Sequence, residues 1–154
     1  DNAFQIAWML NGVIKNGTGK SLSKINDYIG GKTGTTNDNK DAWFIGFSSN
    51  LVVGVYVGHD LPLSLGDKET GGKVSAPIWG SFMNKALKKY PSYPFKIPKN
   101  IEMVKIDAVS GLLPSERSKR TVYEAFITGT APLETDILPN GKVIDLKSLD
   151  DRIY

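Results

Sequence analysis

The sequence predicts an α+β fold: a helix, three antiparallel strands, a second helix, and a tail containing short strands. Three observations carry this. Apolar residues recur at helical spacing over residues 2–16 and again from Ser75 to Leu87. Two β-forming runs, AWFIGF (42–47) and LVVGVYVG (51–58), flank the short turn SSN, the pattern of an antiparallel hairpin. A Gly- and Thr-rich strand, residues 28–36, stands immediately before them.

In the first helix Phe4, Ala7, Trp8 and Asn11 form one row, and Ile6, Met9, Leu10, Val13 and Ile14 supply an apolar face. Asn16-Gly17-Thr18-Gly19 ends it with C-terminal glycines. The next strand is unusual. Glycine weakens a strand, so Gly30, Gly31 and Gly34 imply that something approaches this backbone closely. Along the second strand Trp43 and Phe44 alternate, so one of them packs under the helices. All three tryptophans (Trp8, Trp43 and Trp79) are assigned to the core.

Ser75 is expected to cap the second helix, with Pro77 in its first turn. Ile78, Trp79, Phe82, Met83, Ala86 and Leu87 form its expected buried stripe, and Lys85, Lys88 and Lys89 sit toward its negative C-terminal end. KKYPSYPFKIPKN (88–100) contains three prolines and reads as a linker, dividing residues 1–90 from a C-terminal extension, 91–154. Ile101, Met103 and Val104-Lys105-Ile106 predict a short strand, and Asn140-Gly141 a hairpin. Charge and proline rise past residue 130, which predicts a loosely held end.

Composition excludes several classes. The 154 residues are 40% hydrophobic and 23% charged, enough for one domain core. Net charge is +3 with the lysines dispersed, which describes a solvated surface and not a nucleic-acid partner. There is no cysteine, so no disulfide and no thiolate metal site; with His59 as the only histidine, no metal or cofactor is expected. His59 reads as a turn residue at a strand end. No apolar run approaches the ~20 residues of a membrane span. The N-terminus has neither signal-peptide pattern nor initiator Met and looks cut from a longer chain.

Two apparent motifs fail. GTGKS (17–21) and GKT (31–33) resemble the end of a phosphate-binding loop, but Ile14 and Asn26 occupy the positions where its first glycine belongs. No G-x-S-x-G elbow is present for a Ser-His-Asp triad. The third signal survives. On the strand, Thr33 and Thr35 share one face while Lys32 and Gly34 share the other. Two hydroxyls beside a cation suit a carboxylate, and the Thr35 N–H next to a bare Gly34 suits an oxyanion. An exposed lysine on a Gly-rich edge strand is the plain structural reading of the same letters.

The continuous stretch GGKTGTTNDNKDAWFIGFSSNLVVGVYVGHD, followed by ETGGKVSAPIWGSFMNKAL, closely resembles the C-terminal part of class A penicillin-binding proteins. FKIPKNIEMVKIDAVSGLL and EAFITGTAP resemble the tail of that family, so the likeness covers roughly residues 1–133.

The resemblance implies the C-terminal portion of the serine β-lactamase/penicillin-binding-protein transpeptidase fold. It implies part of a bifunctional peptidoglycan synthase, in which a serine attacks the D-Ala-D-Ala carbonyl of a stem peptide, D-Ala leaves, and a neighbouring amine accepts the acyl group. β-Lactams acylate the same serine. Lys32 matches the K-T-G lysine; Thr33, Gly34 and Thr35 match the substrate-binding positions; the Thr35 N–H matches an oxyanion donor. The implied setting is the periplasmic face of the bacterial inner membrane, with a membrane-anchored full-length protein and no cofactor.

In that family the S-x-x-K and S-x-N motifs lie upstream of K-T-G. Here SLSK (21–24) and SSN (48–50) spell them, but Ser21 falls in a helix–strand connection and Ser48 after K-T-G. Both are expected to be decoys, leaving the chain with one wall of a site, no nucleophile, and no activity alone. The strand at 51–58 is expected to lack its neighbour, so that the chain self-associates or requires the upstream part of the same protein. ETGGKV (69–74) reads either as a mobile loop near the cleft mouth or as a plain turn. A serine β-lactamase or D-Ala-D-Ala carboxypeptidase shares the K-T-G strand, though the tail after residue 91 and the TGTTND continuation argue against either. A non-catalytic peptidoglycan-binding module is the third reading.

Overall fold

The computed structural model describes residues 1–135. Its order is helix α1 (Asn2–Asn16), strands β1 (Gly30–Thr35), β2 (Asp41–Phe47) and β3 (Val52–Gly58), helix α2 (Ser75–Lys89), and strands β4 (Ile101–Asp107) and β5 (Thr121–Ile127). The fold is α+β: an antiparallel sheet of order β1-β2-β3 with two helices, then a separate β4-β5 hairpin. Contacts divide the described residues into two compact units, residues 2–96 and residues 97–135 together with Asp1.

In the first unit α1 buries Phe4, Asn11 and Ile14. Asn11 is polar yet only 5% exposed, and burial of an unpaired amide is costly. Its Nδ2 donates to the Asp27 and Ile29 carbonyls at 2.9 and 2.7 Å, pinning the helix to the start of β1. The Gly17 and Gly19 N–H groups both donate to the Val13 carbonyl and close the helix. Ile6 and Met9, expected on the apolar face, are exposed instead.

The three-stranded sheet is one-sided. Ala42, Phe44 and Gly46 alternate inward along β2 while Trp43 and Ile45 point out. The core gathers Ile14, Leu22, Ile29, Phe44, Ala76, Trp79 and Met83. Phe44 and Trp79 meet at 5.1 Å between ring centroids, and Trp79 Nε1 donates to the Val53 carbonyl at 3.1 Å. Gly46 leaves the space this indole fills: a Cβ there would lie 2.7 Å from Trp79 Cζ2.

Four expectations are corrected. Trp43 is not core; strand alternation turns it to the outer face, 41% exposed, where it packs on Tyr56 at 4.8 Å. Trp8 is half-buried, stacked on Phe4, so of the three tryptophans Trp79 alone is fully buried. Ser75 does not cap α2. Val74 holds that position, and the buried Ser75 hydroxyl donates to the Ala42 carbonyl at 2.8 Å, tying helix to sheet. The buried row on α2 is Ser75, Ala76, Trp79, Gly80 and Met83, so Ile78 and Phe82 face outward.

Residues 91–95, expected as linker, are bonded to this unit. Asn50 Nδ2 donates to the Pro91 carbonyl at 2.7 Å, the Ser92 hydroxyl donates to the Tyr28 carbonyl at 2.7 Å, and Phe95 packs on Phe47.

In the second unit β4 and β5 pair from Ile101↔Ile127 to Asp107↔Thr121. Asp107 organises the turn that follows. Its Oδ1 accepts the Val109 and Ser110 N–H groups at 2.8 and 2.9 Å. The Ser110 and Val109 N–H groups and the Ser118 hydroxyl hold this carboxyl below its usual range, whereas burial raises that of Glu124. The expected hairpin at 140–141 and the loosely held end lie outside the described residues.

Candidate active site

Lys32, Thr33, Gly34 and Thr35 all lie on β1, an outer strand of the sheet. Which backbone groups leave that edge follows from the ladder. The Thr36 N–H donates to the Asp41 carbonyl at 3.1 Å, so that pair faces inward. Successive residues of an antiparallel ladder alternate, which turns the N–H and C=O of Thr33 and Thr35 outward, away from β2. β2 agrees: the Ser48 N–H donates toward β3, to the Leu51 carbonyl at 2.8 Å, which leaves Trp43 facing Gly34.

The side chains follow. Lys32 is exposed and curls around the edge, its Nζ donating to the Thr33 carbonyl at 2.9 Å. Among the described residues it joins no ion pair. Gly34 is bare because β2 lies close: a Cβ there would come within 3.3 Å of Trp43 Cβ. On the other face both threonine hydroxyls have partners. Thr33 Oγ1 lies 3.1 Å from Thr18 Oγ1, and Thr35 Oγ1 accepts the Gly71 N–H at 3.0 Å.

Thr18 is not among the site residues expected from sequence. Gly71 belongs to ETGGKV, expected as a mobile loop near the cleft mouth or as a plain turn, and this segment lies packed on β1. A Cβ at Gly71 would collide with the carbonyl oxygens of Gly34 and Trp43. The Thr70 carbonyl accepts from Lys73 and Val74, and the Gly71 carbonyl from Ser75 and Ala76, so the loop runs directly into α2.

The two serine triplets stand elsewhere. Ser21 is exposed on a 3₁₀ turn, Lys20–Leu22, whose Leu22 enters the core, and it shares with Lys24, Pro77, Ser81 and Asn84 a shallow groove of about 480 Å³. Among the described residues no hydrogen bond joins Ser21 to Lys24. Ser48 is buried at the β2–β3 turn, its hydroxyl accepting the Asn50 and Leu51 N–H groups at 3.3 and 3.2 Å. His59 is exposed just beyond β3. Among the described residues no group of three or more His, Cys, Asp or Glu side chains forms a metal site.

A family model, "Penicillin-binding protein 1A, C-terminal domain", matches residues 97–138. Penicillin-binding protein 1A of Rickettsia typhi is 43% identical over 150 residues, covering 97% of this chain and 19% of the relative. That of Pseudomonas aeruginosa is 40% identical over 140 residues, covering 90% and 17%. The crystal structure of penicillin-binding protein 1A from Haemophilus influenzae superposes with a TM-score of 0.74 at 38% identity, over 86% of this chain and 21% of that one. The chain therefore spans about a fifth of the length of the relatives it matches. With relatives 40–43% identical over nine tenths or more of its length, a solved relative superposing at a TM-score of 0.74, and residues 97–138 matching the family's C-terminal domain, the chain belongs to the penicillin-binding protein 1A family.

Proposed function

We propose that this chain forms the K-T-G wall of a D,D-transpeptidase site in a bifunctional peptidoglycan synthase. The open edge of β1 is the observation that carries the reading. Thr33 and Thr35 turn their backbone groups off the sheet there, and the exposed Lys32 adds a positive charge.

In the proposed reaction a serine from another part of the full-length protein attacks the penultimate D-Ala carbonyl of a stem peptide. The Thr35 N–H donates to the oxyanion that develops, a contribution on the order of 10²–10³ in rate for one donor. The C–N bond breaks, D-Ala departs with a proton on its nitrogen, and a neighbouring strand's amine displaces the serine ester. Thr33 and Thr35 hydroxyls bind the terminal carboxylate, Gly34 admits the close approach of strand and ligand, and Lys32 supplies positive potential. β-Lactams take the same place. The full-length protein is membrane-anchored and faces the periplasm.

The test is intact mass after incubation with a reactive penicillin. The 154-residue chain is expected to carry no adduct, and the full-length protein one. A stoichiometric adduct on Ser21 of the chain would overturn the reading and make the groove beside Lys24 the site.

A further inference from the structure

Both hydroxyls of the proposed carboxylate cradle are met from outside the sheet, and the contact to Thr35 has a defined direction. The Gly71 N–H can only donate, so at 3.0 Å Thr35 Oγ1 is the acceptor. A hydroxyl that accepts keeps its own proton for another acceptor. Gly71 in turn has no freedom to withdraw. Its α-carbon faces the Gly34 and Trp43 carbonyls without room for a methyl, and its own carbonyl accepts the Ser75 and Ala76 N–H groups at 3.1 and 2.9 Å. The residue is clamped between the first turn of α2 and β1.

We propose that Gly71 is a positioning residue for the carboxylate site. Its N–H occupies one lone pair of Thr35 Oγ1, and so presents the Thr35 O–H as a donor to an anionic ligand. The device favours an ionised carboxylate over a neutral ester of the same shape, because an O–H fixed as donor gains most from a charged acceptor. It deepens the proposed function and rests on the carboxylate role of Thr35 within it.

The test uses the full-length protein that carries this chain, and second-order acylation rates for benzylpenicillin and for its neutral methyl ester. The parent is expected to favour the free carboxylate. Gly71→Ala is expected to lower the carboxylate rate on the order of tenfold, with the ester rate changed far less. Thr35→Val should abolish the preference, Thr35→Ser should retain it, and Gly71→Ala added to Thr35→Val should have no further effect on selectivity. Equal loss on both substrates, or an undiminished selectivity effect in the Thr35→Val background, overturns the positioning role.

Should Gly71→Ala fail to fold, amide exchange reads the same contact. In the Thr35→Val protein the Gly71 amide is expected to exchange about tenfold faster or more, having lost its acceptor; unchanged protection overturns the proposal. A parent that acylates acid and ester at equal rates fails differently, by removing the carboxylate reading of Thr35 on which the proposal rests.

Discussion

Gly31→Ala tests why glycine precedes Lys32. The added methyl would lie 2.7 Å from Phe44 Cζ and 2.9 Å from both Gly46 Cα and the Ile45 carbonyl oxygen. Two of these atoms are backbone of β2, and the third belongs to a ring wedged against Trp79. None of the three can yield alone, so β1 must move away from β2. Overpacking of this kind costs about 1–3 kcal/mol, while replacing a strand glycine returns roughly 0.5–1 kcal/mol through the unfolded chain.

The net loss is about 0–2.5 kcal/mol and centres a little above 1 kcal/mol, which lowers the melting point by roughly 5–10 °C for a unit of this size. Gly54→Ala is the matched control. A Cβ there meets only Ile45 Cγ1, at an ordinary 3.8 Å, so the entropic gain stands alone and the melting point should hold or rise slightly. Thermal unfolding of the two variants beside the parent decides the matter. If Gly31→Ala melts with the parent, or if Gly54→Ala is equally damaging, close strand approach is not what selects Gly31.

Three further outcomes are expected. Lys32→Ala in the full-length protein should slow penicillin acylation on the order of 10-fold or more while leaving the melting point nearly unchanged, since Lys32 is exposed; parent-like kinetics would remove it from the site. Asp107 is held below its usual range, so its contribution is fully present above the unfolded pKa and is lost as pH falls through the folded value. Glu124, raised by burial, acts in the opposite sense, so the readout is the difference from Asp107→Asn: the substitution should destabilise most at neutral pH and progressively less as the pH falls below the usual aspartate range, by urea titration. Finally, β3 shows no further neighbour among the described residues, and Val52 at its outer edge is 78% exposed. The isolated chain is expected to self-associate and Val52→Lys to reduce this; a monodisperse monomer across a wide concentration range by light scattering would refute it.

Most of the fold was legible because its signals are local. Helical spacing marks α1 and α2, the β-forming runs mark β2 and β3, and the Gly- and Thr-rich run before them marks β1, each within two residues of the observed ends. The faces were less legible. Period alone identified apolar residues on α2 but not how wide its buried row is, so Ile78 and Phe82 were assigned inward when the sheet covers only the Ser75, Ala76, Trp79, Gly80 and Met83 side. Alternation separated Trp43 from Phe44 but could not say which faces the helices. The outcome depends on where α2 returns, some 30 residues later. β5 was missed although TVYEAFI is rich in β-branched and aromatic residues; its meaning comes only from pairing with β4.

The candidate site divides along the same line. Alternation put Thr33 and Thr35 together on one face of a strand, and that needs nothing beyond the strand itself. Which way their amides point needs the sheet order, since an interior β1 would have turned the Thr35 N–H toward another strand. The hydroxyl partners are less local still: Thr18 meets Thr33 across 15 positions and Gly71 meets Thr35 across 36, and no spacing rule encodes either contact. What the chain does print is the pair Gly71-Gly72, a sign that backbone approaches something closely. The glycines at 31, 34, 46 and 71 all mark such approaches, to β2, to Trp43, to Trp79 and to β1. Sequence marks where contact is close, and only the fold names the partner. By contrast SLSK and SSN spell catalytic motifs while Ser48 is spent on turn amides and Ser21 lies exposed on a separate turn. A three- or four-letter match constrains neither neighbour nor direction, whereas a glycine whose Cβ has no room constrains both.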